Sequence, residues 1–85
     1  SMERIKVLVV DDEPQIGRML VTQLGARGYD VEHVSTGQDA LVAVGDRPPD
    51  LVLLDLGLPD MDGIEVCRRL RGWSAVPVIF LTVRE

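Results

Sequence analysis

The sequence predicts an α/β domain built on a parallel sheet, and two observations carry that prediction. The first is a set of short apolar runs, of which Leu51-Val52-Leu53-Leu54 is the clearest: it has no polar alternation and ends on the carboxylate of Asp55. Such a run reads as a strand covered on both faces, and ligand sites in α/β domains lie just past the carboxyl ends of such strands. The second is that the runs alternate with segments of helical spacing, in the order strand-helix-strand-helix-strand-helix-strand. The connections are short enough for right-handed parallel crossovers.

Ile5 to Val10 is the first buried strand, β1, stopped by Asp11-Asp12-Glu13. Pro14 suits the first turn of a helix, where its missing N–H would lack a partner anyway, and Asp12 or Glu13 just before it suits the positive helix end. Ile16, Met19, Leu20, Leu24 and Arg27 recur near helical spacing, so helix α1 runs from Pro14 to a stop at Gly28. Tyr29 to Val34 alternates imperfectly, Tyr29, Val31 and His33 against Asp30, Glu32 and Val34, as an outer strand β2 would. Thr36 and Asp39 resemble a capping pair, and Ala40, Leu41, Ala43 and Val44 give a short apolar face to helix α2, broken by Arg47-Pro48-Pro49-Asp50. Leu51 to Leu54 is β3. After Asp55, Leu56 to Gly63 is a loop with Gly, Pro and Asp at turn positions. Ile64, Val66, Cys67 and Leu70 mark helix α3, which Gly72 ends, and Val76 to Thr82 is β4, with Pro77 tolerable at its beginning.

Composition narrows the function classes. Eighty-five residues make one small domain, and 46% hydrophobic with 27% charged residues is ordinary for a globular chain and unlike a disordered one. Acidic residues outnumber basic ones 14 to 9, and the net charge of -5 without a basic stripe argues against nucleic-acid binding by this segment. Cys67 is the single cysteine, which excludes an internal disulfide and a multi-cysteine zinc site and fits a reducing cytosol. No apolar run approaches the ~20 residues that span a bilayer, so no membrane association is expected. Ser1-Met2 reads as a tag remnant, leaving residues 3–85 as the domain.

If β1 and β3 are parallel neighbours, Asp11, Asp12 and Glu13 meet Asp55 at one sheet edge, although some forty positions separate them in the chain. Carboxylates crowded in this way repel, and at least one has a raised pKa unless a cation sits among them. The plainer reading of Asp11 and Asp12 is helix capping with solvated carboxylates. His33, the only histidine, sits on the predicted outer strand without a ligand-spaced partner and is expected at the surface. Cys67 reads as a small core residue, and Trp73 and Tyr29 as packing anchors.

Four segments, in order and spacing, carry a family resemblance: Val9-Val10-Asp11-Asp12-Glu13-Pro14, Pro49 to Asp55, Leu58-Pro59-Asp60-Met61-Asp62-Gly63, and Pro77 to Thr82. With them the chain resembles the CheY-like receiver domain of two-component response regulators, a flavodoxin-like doubly wound parallel sheet. The stretch from Asp55 to Gly63, with Trp73-Ser74-Ala75-Val76-Pro77 behind it, is most similar to the OmpR/PhoB class and, within it, to KdpE-like regulators of potassium transport. The resemblance implies that Asp55 accepts a phosphoryl group from a sensor histidine kinase. It implies Mg²⁺ held directly by Asp12 and Asp55 and by the Gly57 carbonyl, with Asp11 acting mainly through a bound water. Glu13 is expected to be peripheral, Thr82 to be the switch hydroxyl, and Pro59 and Gly63 to shape the loop. The family couples this event to transcription through a DNA-binding output domain outside this sequence.

The resemblance spans β1-α1-β2-α2-β3-α3-β4, about two thirds of a five-unit domain with strand order 2-1-3-4-5, and lacks α4-β5-α5. Among the missing parts is the lysine that pairs with phosphate, a role Lys6 in β1 cannot take. Weak metal binding and little stable acyl phosphate are therefore expected of this chain. A bare β4 edge and an uncovered sheet face also predict a homo-oligomer, most simply a dimer through either feature. Two other readings compete. One is a self-associating interaction fragment that takes no phosphate. The other is a haloacid dehalogenase-type phosphatase, which wants an aspartate where Glu13 stands. A P-loop is excluded, since no Gly-Lys-Ser/Thr loop is present.

Overall fold

In the computed structural model, which describes residues 3–82, the apolar runs form one parallel sheet in the order β2-β1-β3-β4. The strands are β1 (Lys6–Val10), β2 (Asp30–Val34), β3 (Leu51–Asp55) and β4 (Val78–Leu81), and the helices α1 (Pro14–Ala26), α2 (Gly37–Asp46) and α3 (Gly63–Leu70). The strand order expected of a receiver is present as far as this chain extends. β4 is shorter than the Val76 to Thr82 run, because Pro77 has no N–H and joins the ladder only through its carbonyl, which accepts from Val52 at 2.9 Å. The reading of Ser1-Met2 as a tag remnant falls outside the described residues.

Side chains sort onto two faces with the strand period of two. Leu8 and Val10 of β1 and Val52 and Leu54 of β3 point toward α2 and α3, where they form the core with Ala40, Val44, Val66 and Leu70. Each fully buried Val or Leu here contributes about 1.5–3 kcal/mol relative to exposure, the main favourable term in a chain this small. On the opposite face, register pairs Val7 with Val31 and Val9 with His33, and α1 lies over them. Beyond α1 no helix covers that face among the described residues. Leu53 is half-buried, and its neighbour in register, Ile79, is 52% exposed. On the core side Phe80, at the edge, is 39% exposed. Trp73 is 54% exposed, so it is not the anchor expected of it: it lies past the end of α3, and its ring reaches only the flank of α2 near Gly45.

The helix starts follow local chemistry. Thr36 Oγ1 accepts from the Asp39 N–H at 3.0 Å, which is the capping pair expected there, and Asp62 Oδ1 accepts from the Glu65 N–H at 2.8 Å. Gly28, at φ 96°, gives the chain the left-handed turn that sends it from α1 into β2. α1 is different: Glu13 occupies the cap position without a side-chain cap bond.

On α3, Glu65 accepts from Arg68 at 2.9 and 2.6 Å and from Arg69 at 2.8 Å, which holds its carboxyl at about 2, against an ordinary value of 4.5. A depressed carboxyl stabilises the fold above its ordinary pKa and loses that contribution as pH falls through the folded value. Glu65→Gln is therefore expected to melt slightly below the parent chain at neutral pH, with the gap closing between about pH 4.5 and pH 2 in a thermal-melt series. The effect is small because these side chains are partly solvated.

Candidate functional site

The ladder places the acidic residues. Val10 pairs with Leu54, so Asp11 and Asp55 emerge one step further along the same edge of the sheet. Asp12 joins them, and one oxygen from each of Asp11, Asp12 and Asp55 lies within 4.8 Å of the others. Their exposures differ: Asp11 is only 6% exposed, Asp55 is half-buried and Asp12 is open to solvent. Glu13 is exposed and contributes through its backbone, its N–H donating to Asp11 Oδ1 at 2.8 Å.

Burial raises the Asp11 carboxyl above the usual carboxylate range. The Glu13 N–H opposes this, the charges of Asp55 and Asp12 add to it, and His33 works weakly against it. Among the described residues no lysine or arginine forms an ion pair with any of the three carboxylates. Lys6 is at the far end of the sheet, where its backbone pairs with Asp50. A trio of hard oxygen donors, one with a disfavoured charge and none with a lysine or arginine partner among the described residues, fits a small divalent cation such as Mg²⁺.

The loop after β3 is built tightly around Asp55. The Gly57 N–H reaches Asp55 Oδ1 at 3.3 Å, and the Gly63 N–H donates to the Leu56 carbonyl at 2.9 Å. A Cβ on Gly63 would lie 2.6 Å from the Asp55 carbonyl oxygen and 3.0 Å from Leu56 Cα, so only glycine lets α3 begin this close to Asp55. Pro59 is exposed on the same loop. Next to it Asp60, not singled out in the sequence, caps α2 from a distance: its carboxylate accepts from Gly37 and Gln38 at 2.8 and 2.9 Å. Those two N–H groups hold Asp60 below the usual carboxylate range.

Thr82 follows Leu81, the register partner of Asp55, and so stands at the same edge, exposed. His33 corrects the surface expectation. It is half-buried beneath α1, packed on Gly17, with Nε2 donating to the Asp11 carbonyl at 2.8 Å. The alternation that grouped His33 with Tyr29 and Val31 did carry this information, since that is the face α1 covers. Cys67 packs against the core as expected.

A 2-1-3-4 parallel sheet with a carboxylate trio past β1 and β3 is the arrangement of a receiver, and the family model for the response regulator receiver domain matches residues 7–85. The chain belongs to that family. It is 59% identical over 78 residues to the transcriptional regulatory protein KdpE of Mycobacterium tuberculosis (strain ATCC 25618 / H37Rv), a match covering 92% of this chain and 34% of that protein. The DNA-binding response regulator MtrA of Mycolicibacterium smegmatis is 49% identical over 81 residues, 95% of this chain and 36% of the relative. Among solved structures, the N-terminal domain of a response regulator receiver protein from Methanoculleus marisnigri JR1 superposes with a TM-score of 0.88 at 40% identity, covering 93% of this chain and 67% of that one. The expected kinship with OmpR/PhoB-class, KdpE-like regulators is borne out. The chain spans about a third of the length of the curated relatives it matches.

A raised carboxyl makes its ionisation a cost to the fold, a cost that grows as pH rises through the folded pKa and is absent below the ordinary one. Asp11→Asn keeps an oxygen for the Glu13 N–H and removes the buried charge. The variant is expected to melt above the parent chain at neutral pH in chelator, and to lose that advantage below about pH 4.

Proposed function

We propose that this chain is the phosphoacceptor portion of a two-component response regulator, with Asp55 accepting a phosphoryl group from the phosphohistidine of a sensor histidine kinase. The observation that carries this reading is the convergence of Asp11, Asp12 and Asp55 at the carboxyl edge of β1 and β3, with no lysine or arginine paired to them among the described residues. An Asp55 oxygen attacks phosphorus, the P–N bond to the kinase histidine breaks, and an acyl phosphate forms. The Gly57 N–H engages Oδ1 of Asp55 and so orients the other oxygen for attack. Thr82, at the same edge, donates its hydroxyl to the transferred group. Asp12, Asp55 and the Gly57 carbonyl would hold Mg²⁺ directly and Asp11 through a water. When bound, that ion supplies the positive charge that offsets repulsion between carboxylate and phosphoryl oxygens.

The chain's own chemistry ends at phosphoryl acceptance; it turns over no external substrate. In the whole protein, located in the cytosol, this event regulates transcription through an output domain that binds DNA. With a net charge of -5 the present segment does not bind DNA itself. Lys6 pairs through its backbone with Asp50 at the far end of the sheet and is remote from the transferred phosphoryl. The exposed Ile79 and Phe80, and the side of β4 that meets no strand among the described residues, support a homodimer through the β4 edge or the open sheet face.

Incubation with a small phosphodonor and Mg²⁺, read by intact mass, is expected to give a phosphorylated species that Asp55→Asn abolishes. Equal modification of the Asp55→Asn variant would remove Asp55 as the acceptor. No transfer even from a histidine kinase would favour the interaction-fragment reading. Light scattering is expected to report a dimer; a monodisperse monomer at high concentration would count against the association.

A further inference from the structure

We propose that His33 is a positioning residue for the acidic site, clamping the Asp11 main chain so that one carboxylate oxygen is left to face Asp12 and Asp55. The proposal rests on the reading of that site as a cation-binding phosphoacceptor centre. Asp11 is held at three points. Its N–H donates to the Val34 carbonyl at 3.1 Å, its carbonyl accepts from His33 Nε2 at 2.8 Å, and its Oδ1 accepts from the Glu13 N–H at 2.8 Å. Its Oδ2 has no such partner among the described residues.

A carbonyl oxygen can only accept, so Nε2 of His33 carries the proton in this contact. The Nε2–H tautomer and the imidazolium both satisfy that requirement, and the clamp works with either. The ring is also locked in place. Val9 pairs with His33, which sends the imidazole beneath α1, and there it fills the space over Gly17. A Cβ at Gly17 would stand 2.5 Å from both ring nitrogens, so no larger residue coexists with the ring in this position. Glycine inside a helix costs about 1 kcal/mol relative to alanine, which makes its presence in the second turn of α1 informative. Helix α1, strand β2 and the end of β1 thus meet at one side chain, whose single hydrogen bond among the described residues is to a residue of the acidic trio. Donors of this kind, one step removed from a metal, set ligand direction without touching the ion.

The test uses the 85-residue chain with Mn²⁺ as the probe cation, followed by calorimetric titration, together with amide hydrogen exchange in chelator. His33→Leu removes the donor and keeps bulk; His33→Gln keeps an N–H at similar reach. His33→Leu is expected to weaken Mn²⁺ binding about tenfold and to speed exchange of the Glu13 amide. His33→Gln is expected to restore both while losing as much thermal stability as His33→Leu, which separates positioning from packing. Parent-like Mn²⁺ affinity and Glu13 protection in His33→Leu would overturn the proposal. If the parent chain binds no Mn²⁺, the cation reading falls and the Glu13 amide alone decides: faster exchange in His33→Leu with rescue by Gln supports the clamp, and unchanged exchange overturns it. Should His33→Leu not fold, the pair Gly17→Ala with His33→Ala moves a methyl into the space without a donor and is read by the same outcomes.

Discussion

Parallel pairing of β1 with β3 is the constraint from which the acidic site follows. Because Val10 and Leu54 are partners in that ladder, the next residue on each strand is a carboxylate, and the two cannot separate without breaking the sheet. At an effective dielectric near 20, two charges about 5 Å apart repel by on the order of 3 kcal/mol. The strands that hold them bury Leu8, Val10, Val52 and Leu54, each contributing about 1.5–3 kcal/mol. Packing therefore outweighs repulsion, and the fold holds like charges together at one edge of the sheet.

The second organising feature is the loop between β3 and α3. Gly63 brings the start of α3 against the Asp55 backbone, and Asp60 supplies the cap of α2. One short loop thus touches Asp55 and the first turns of two helices. A displacement of the loop would carry the cap of α2 with it. The same economy appears on the other side of the sheet, where His33 ties α1 and β2 to Asp11.

How far the sequence disclosed this depends on the kind of information each feature needs. The unbroken apolar run before Asp55, the Val-rich run before Asp11 and the Thr36 cap are local, and each is where the residues place it. The three-carboxylate cluster needed only the assumption that the two runs are adjacent and parallel. What escaped was relational. His33 looked solitary because its partners are a backbone carbonyl and a missing side chain, the bare Cα of Gly17, and neither leaves a mark in a residue pattern. Trp73 looked like core by its size, whereas its position past the last turn of α3 leaves most of its ring in solvent. Asp60 read as an ordinary turn residue because the N–H groups it accepts from lie 22 and 23 positions earlier.

Pro77 has a bearing on how such chains behave in crowded solution. By delaying the start of β4 it leaves an outer strand of only four residues, of which alternate backbone amides, about two, point outward. A guest strand laid alongside would find little to grip, too little to propagate into a fibre. A contact between copies, where one formed, would rest on the oily patch around Leu53 and Ile79 more than on backbone pairing, and would strengthen on mild warming as greasy contacts do.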